Sequence, residues 1–140
     1  MAAETNSKND ALNQLRYLQN IYSQQYEIVE NQINTYSISI DAMNKGLDAL
    51  KNSGSLNSSN ILINAGPGIY MEGNIGNTKS IITYIGAGYL IEKTLDESKT
   101  YMESNLKKQE DFLKKLLADK TKLQDELIDI LYKIESLQQQ

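Results

Sequence analysis

Residues Tyr84–Thr94 read YIGAGYLIEKT, and a shorter echo, NAGPGIYMEG, stands at Asn64–Gly73. Glycines this close together either cradle a phosphate or turn the chain. A dinucleotide loop carries a third glycine and runs straight into a helix whose N-terminus holds the phosphate. Here Gly86-Ala87-Gly88 leads into the β-rich Tyr89-Leu90-Ile91, Ile91 fills the slot of the third glycine, and no Gly-Lys-Ser/Thr sequence occurs. The glycines are therefore read as turns. Around them lie the β-like runs Ile61-Leu62-Ile63, Ile69 to Ile75, Ile81 to Ile85 and Tyr89 to Ile91. Gly66-Pro67-Gly68, Gly76-Asn77-Thr78-Lys79 and Gly86-Ala87-Gly88 separate them. Ile69, Met71 and Ile75 alternate with Tyr70, Glu72 and Asn74, the pattern of half-buried strands. The middle of the chain is predicted to be two successive β-hairpins.

On either side the period lengthens to that of a coiled coil. In the first segment Leu12, Gln19, Tyr26, Ile33, Ile40 and Leu47 take position a of a heptad, and Leu15, Tyr22, Val29, Tyr36, Met43 and Leu50 take position d. Only Gln19 is neither apolar nor tyrosine, and no proline interrupts the run, so it reads as one long helix. Gly46 weakens it by about 1 kcal/mol relative to alanine, and Gly54 is expected to close it in a left-handed cap. In the last segment Lys99, Leu106, Leu113, Lys120, Leu127 and Ile134 are at a, with Leu95, Met102, Gln109, Leu116, Leu123, Ile130 and Leu137 at d. Thr94 and Glu97 form a capping box at its start. Glu103 with Lys107, Glu110 with Lys114 and Asp111 with Lys115 have the spacing of ion pairs on an exposed face. Two helices of about 40 residues, each roughly 60 Å long at 1.5 Å per residue, sharing one connecting region, are expected to fold back as an antiparallel pair. Gln19, Gln109 and Lys120 would then set the register, for which two offsets fit the apolar pattern equally well.

Composition narrows the function. Among 140 residues there is neither Cys nor His, which removes disulfides, thiolate ligands and the commonest general base. The net charge of −4 argues against a sequence-independent grip on nucleic acid. The opening MAAETNSKND lacks the basic and apolar regions of a secretory signal, and no run reaches the roughly 18 apolar residues of a membrane span. A cytoplasmic protein is expected. Asn57-Ser58-Ser59 matches the glycosylation pattern, which means little without a secretory signal. Acidic residues of the second helix interleave with lysines as solvated faces do, so no enzyme and no cofactor or metal are expected.

Two groups of apolar residues point to partners instead. Hairpins alone are marginal in water and expose strand edges. Ile61, Ile63, Ile69, Met71, Ile75, Ile81, Ile85, Tyr89 and Ile91 are therefore expected to serve subunit assembly. The second group is surplus to the heptads. Tyr17, Leu18, Ile21 and Ile28 in the first helix, and Ile128, Leu131 and Tyr132 in the second, lie outside a and d. An antiparallel pair gathers them in the half farthest from the hairpins, where an exposed apolar patch marks a contact site. With the seam residues Leu12, Leu15, Tyr22, Ile134 and Leu137, opened by fraying, the residues Tyr17, Leu18, Ile21, Ile128, Leu131 and Tyr132 are expected to bind unfolded protein segments. A coiled-coil scaffold or tether without client binding is the competing expectation.

Two long heptad helices flanking two hairpins, with IYMEGNI at Ile69–Ile75 and GAGYLIEKTLDES at Gly86–Ser98, resemble the alpha-type subunit of prefoldin, a molecular chaperone. Two hairpins suit the alpha type, since beta-type subunits carry one. The Asn64-Ala65-Gly66-Pro67-Gly68 tip departs from the family's more usual Pro-Leu-Gly-like sequence. The resemblance implies an α+β, mostly α, fold: a long antiparallel two-helix coiled coil with two central β-hairpins that form part of an oligomeric β-barrel body. One subunit would span 1–140, with helices over 8–52 and 94–138 and the assembly region over 59–93. It further implies a hexamer of two alpha-type and four beta-type subunits. Such an assembly holds unfolded protein clients without ATP and delivers them to a group II chaperonin.

Overall fold

The computed structural model describes residues 1–56 and 59–140. Asn57 and Ser58, and with them the glycosylation-like triplet, lie outside the described residues. The order of elements is helix α1 (Ala2–Lys51), a single turn α2 (Ser53–Leu56), strands β1 (Asn60–Gly66), β2 (Ile69–Asn74), β3 (Ser80–Gly86) and β4 (Tyr89–Thr94), and helix α3 (Leu95–Gln138). The chain divides into two compact units. A terminal unit comprises Met1–Ile38 and Glu110–Gln140, and a hairpin unit comprises Ser39–Gln109.

In the terminal unit α1 and α3 zip along the predicted seam. Leu12, Leu15, Gln19, Tyr22, Tyr26, Val29, Ile33 and Tyr36 are all half-buried, and Leu116, Ile130 and Ile134 are buried. The Tyr36 and Phe112 rings meet at 4.8 Å between centroids, tilted by 44°. Gln124 Nε2 donates to the Tyr26 hydroxyl at 3.0 Å, and Lys120 Nζ donates to Glu30 Oε1 at 3.4 Å. Partner numbers fall in α3 as they rise in α1, so the helices run antiparallel here. These cross-links also select one of the two offsets that the apolar pattern left open.

The hairpin unit contains the end of α1, the start of α3 and both hairpins. Leu47 is buried on α1, and a methyl added at Gly46 would sit 3.4 Å from Met102 Cε of α3. Gln109 is half-buried at its d position, and its Oε1 is buried with no hydrogen-bond partner among the described residues. The predicted left-handed cap at Gly54 is not formed. Asn52 Nδ2 donates to the Asp48 carbonyl at 2.9 Å, and Ser55 donates to the Asn52 carbonyl through both its N–H and its hydroxyl. These bonds keep the chain helical for one more turn, and Gly54 falls inside α2. The capping box at the other helix is formed: Thr94 N–H donates to Glu97 Oε2 at 3.1 Å, and Glu97 N–H donates to Thr94 Oγ1 at 3.2 Å. Of the i,i+4 ion pairs among the described residues, Asp41–Lys45 and Asp129–Lys133 are closed. The three predicted ones are not, as expected of long exposed side chains for which pairing is worth a few tenths of a kcal/mol.

Strand β1 pairs antiparallel with β2, and β3 with β4, as two separate two-stranded sheets. The hairpins share one design at an interval of twenty residues. Asn60 pairs with Asn74 and Gly66 with Ile69, as Ser80 pairs with Thr94 and Gly86 with Tyr89, and each first strand bulges just before its turn. The second turn has φ of 52° at Ala87 and 81° at Gly88, both positive, as a two-residue type I′ connection demands. In the first turn Pro67 locks a negative φ and only Gly68 turns positive, at 73°. Beneath the second hairpin, Thr83 Oγ1 and Ser98 Oγ share a buried hydrogen bond at 3.1 Å. Ser98, only 1% exposed, thereby ties β3 to the first turns of α3.

Candidate functional site

Covering a heptad seam leaves apolar side chains at the outer positions of a two-helix pair with few neighbours. In the terminal unit Tyr17 (67% exposed), Ile28, Ile128 (52%), Leu131 and Tyr132 (68%) stand open, and Leu18 is marginally so. Ile21 is half-buried rather than bare, although it takes the same outer c position as the exposed Ile28. Leu12, Leu15, Tyr22 and Leu137 are half-buried in the seam. Ile134 corrects the expectation of a frayed end. It is buried, and both helices continue past it, α1 beginning at Ala2 and α3 ending at Gln138.

The open residues divide between two flanks. Ile128, Leu131 and Tyr132 occupy positions b, e and f of α3. Leu18 and Ile28 occupy g and c of α1, beside a furrow. One hollow of the furrow, about 450 Å³, is lined by Tyr22, Ile28, Val29 and Leu123 together with Asp119 and Glu126. A second, about 160 Å³, is lined by Leu15, Leu18 and Ile130 and shares Tyr22 and Glu126 with the first. Lys120 is drawn the other way, toward Glu30, and its ring neighbour Tyr26 lies 5.6 Å from Nζ. The hydrogen bond to Glu30, aided by the nearby Tyr26, raises the lysine's pKa above its ordinary value against the opposing effect of desolvation.

Among the residues expected to serve assembly, Ile63, Ile69, Met71, Ile85, Tyr89 and Ile91 are exposed, and Ile61, Ile75 and Ile81 are half-buried within the chain. The half-buried strand pattern read from β2 is corrected here. Ile69 (60%), Tyr70 (61%) and Met71 (60%) are all open, so neither face of the ribbon is covered. A two-stranded sheet has no second layer to bury one face. Leu62, Tyr70, Ile82, Tyr84 and Leu90 are open apolar residues beyond that expected set. The period of two that placed their neighbours on one face already put these on the other. Ile38, at position f of α1, is equally bare, and the heptad numbering carried that signal. Among the described residues no helix is long and apolar enough to cross a membrane.

Comparison with known proteins matches residues 22–140 to the model of the prefoldin subunit family. Prefoldin subunit alpha of Methanobrevibacter smithii is 31% identical over 116 residues, 81% of this chain and 77% of that protein. Prefoldin subunit alpha of Methanocorpusculum labreanum is 29% identical over 132 residues, 91% of this chain and 88% of the relative. Among solved structures, a chain of the cryo-EM structure of filamentous PFD from Methanocaldococcus jannaschii superposes with a TM-score of 0.55 at 23% identity. It covers 84% of this chain and 93% of that one.

Proposed function

The chain belongs to the prefoldin family, and from that premise we propose that it is an ATP-independent holdase subunit. In this reading the apolar side chains at the chain-terminus end of the helix pair bind non-native proteins. The observation that carries the proposal is the bareness of Tyr17, Ile128, Leu131 and Tyr132 beside a seam whose own positions are all covered. A rod that served only as a scaffold or tether would gain nothing from those groups, and exposed apolar area on this scale marks a contact surface. Each contact is weak, and several copies around one client multiply them through avidity.

The hairpins serve assembly in the same proposal. Each ribbon carries open apolar side chains, Leu62, Ile63, Tyr70 and Met71 on one and Ile82, Tyr84, Tyr89 and Leu90 on the other, and contact with beta-type subunits in a hexamer of two alpha and four beta would cover them. Transfer of the held client to a group II chaperonin completes the cycle. The test is aggregation of a denatured client in the absence of nucleotide, with the chain assembled with beta-type subunits. Changing Ile21, Ile128, Leu131 and Tyr132 to Ser is expected to weaken protection while the assembly keeps its mass. Protection unchanged in an intact assembly rejects the site.

A further inference from the structure

The furrow of the terminal unit is not purely apolar. Glu126 is half-buried where its two hollows join, and among the described residues no cation closes on it. Lys133, which also lines the second hollow, is held by Asp129 at 2.9 Å. Lys120 is held by Glu30 at 3.4 Å, away from the furrow. That leaves Asp119 and Glu126 facing the first hollow against the single ammonium of Lys122, a local surplus of negative charge. The walls on either side are Tyr22, Ile28, Val29 and Leu123 in one hollow, and Leu15, Leu18 and Ile130 in the other.

We propose that this furrow takes unfolded segments in which an apolar side chain is flanked by lysine or arginine, with Glu126 reading the cation. The proposal rests on the holding function above and names its substrate class. A carboxylate partly withdrawn from water attracts a cation more strongly than one on an open surface. The long stems of Lys and Arg lie along apolar walls while their charged ends reach out, which fits a groove greasy on both sides and acidic at its centre. A segment flanked by acidic residues meets the same walls and is repelled.

The experiment uses the full chain and three labelled, unstructured peptides that share one apolar core and carry Arg, Ser or Glu flanks, with binding read by fluorescence anisotropy. The Arg peptide is expected to bind about three- to five-fold more tightly than the Ser peptide, the range of a partly exposed ion pair, and the Glu peptide more weakly than either. Glu126→Gln should collapse the Arg-to-Ser ratio toward one, as should high salt. Glu135→Gln, outside the furrow, should keep it. Equal affinity for the Arg and Ser peptides, or a ratio that survives Glu126→Gln, overturns the selectivity and leaves the holding function standing. If no peptide binds and no client is protected from aggregation, both fall together.

Discussion

Lys120, at an a position of the seam, reaches out to Glu30 on the antiparallel helix, with Nζ and Oε1 3.4 Å apart and the Tyr26 ring beside it. The contact keeps a charge in the seam only because it is answered there, and with Gln124–Tyr26 it distinguishes this offset from the other that the apolar residues permit. Raising a lysine's pKa in the folded state stabilises the fold by an amount fully present below the unfolded value and lost as pH rises through the folded one. The window therefore lies above the ordinary lysine value of 10.5. Denaturation midpoints at pH 8 and at pH 11.5 should fall further apart in the natural chain than in Lys120→Met. Parallel losses in the two would show that Lys120 plays no part.

The bond between Thr83 and Ser98 predicts a non-additive pair. Either Thr83→Val or Ser98→Ala alone strands a buried hydroxyl and is expected to cost about 1–3 kcal/mol. The double variant should cost less than the sum of the two. A denaturant-based double-mutant cycle reads the coupling, and additive costs would deny the contact.

Gly46 lies within a long helix, and an added methyl meets only the mobile end of Met102, at 3.4 Å. Gly46→Ala is expected to raise stability by up to about 1 kcal/mol. Thermal unfolding followed by circular dichroism checks it. A lower melting temperature would mean that the Met102 side chain has nowhere to move.

Ala87 holds φ at 52° in the second turn, a conformation that costs a residue with a Cβ roughly 1–2 kcal/mol. Asn is at home at that position of a type I′ turn, followed as it is by Gly88. Ala87→Asn should therefore stabilise the chain by about 0.5–1 kcal/mol, and unchanged stability would place the turn in another class.

Much of the fold was legible because its rules are local. A heptad announces its buried positions by spacing alone, so even Lys99, Lys120 and Gln109 were found where the apolar rhythm put them. Gly86-Ala87-Gly88 marked a turn because few other residues tolerate positive φ. What stayed hidden depends on groups far apart in sequence. Register required Glu30 to find Lys120 and Tyr26 to find Gln124. The missing cap at Gly54 required Asn52 and Ser55 to bond in a way their composition does not announce. The candidate site was half visible. Surplus apolar residues can be counted in a sequence, but the closure of Ile134 and the placing of Glu126 between two hollows follow from packing.

The twenty-residue recurrence makes each hairpin a unit that can be taken out or put in whole. Ser80 leads into its ribbon with the same pairing as Asn60, and Thr94 leaves it as Asn74 does. Gain or loss of one such ribbon therefore removes or inserts a whole number of pairs and leaves the surviving copy's bulge and turn in step.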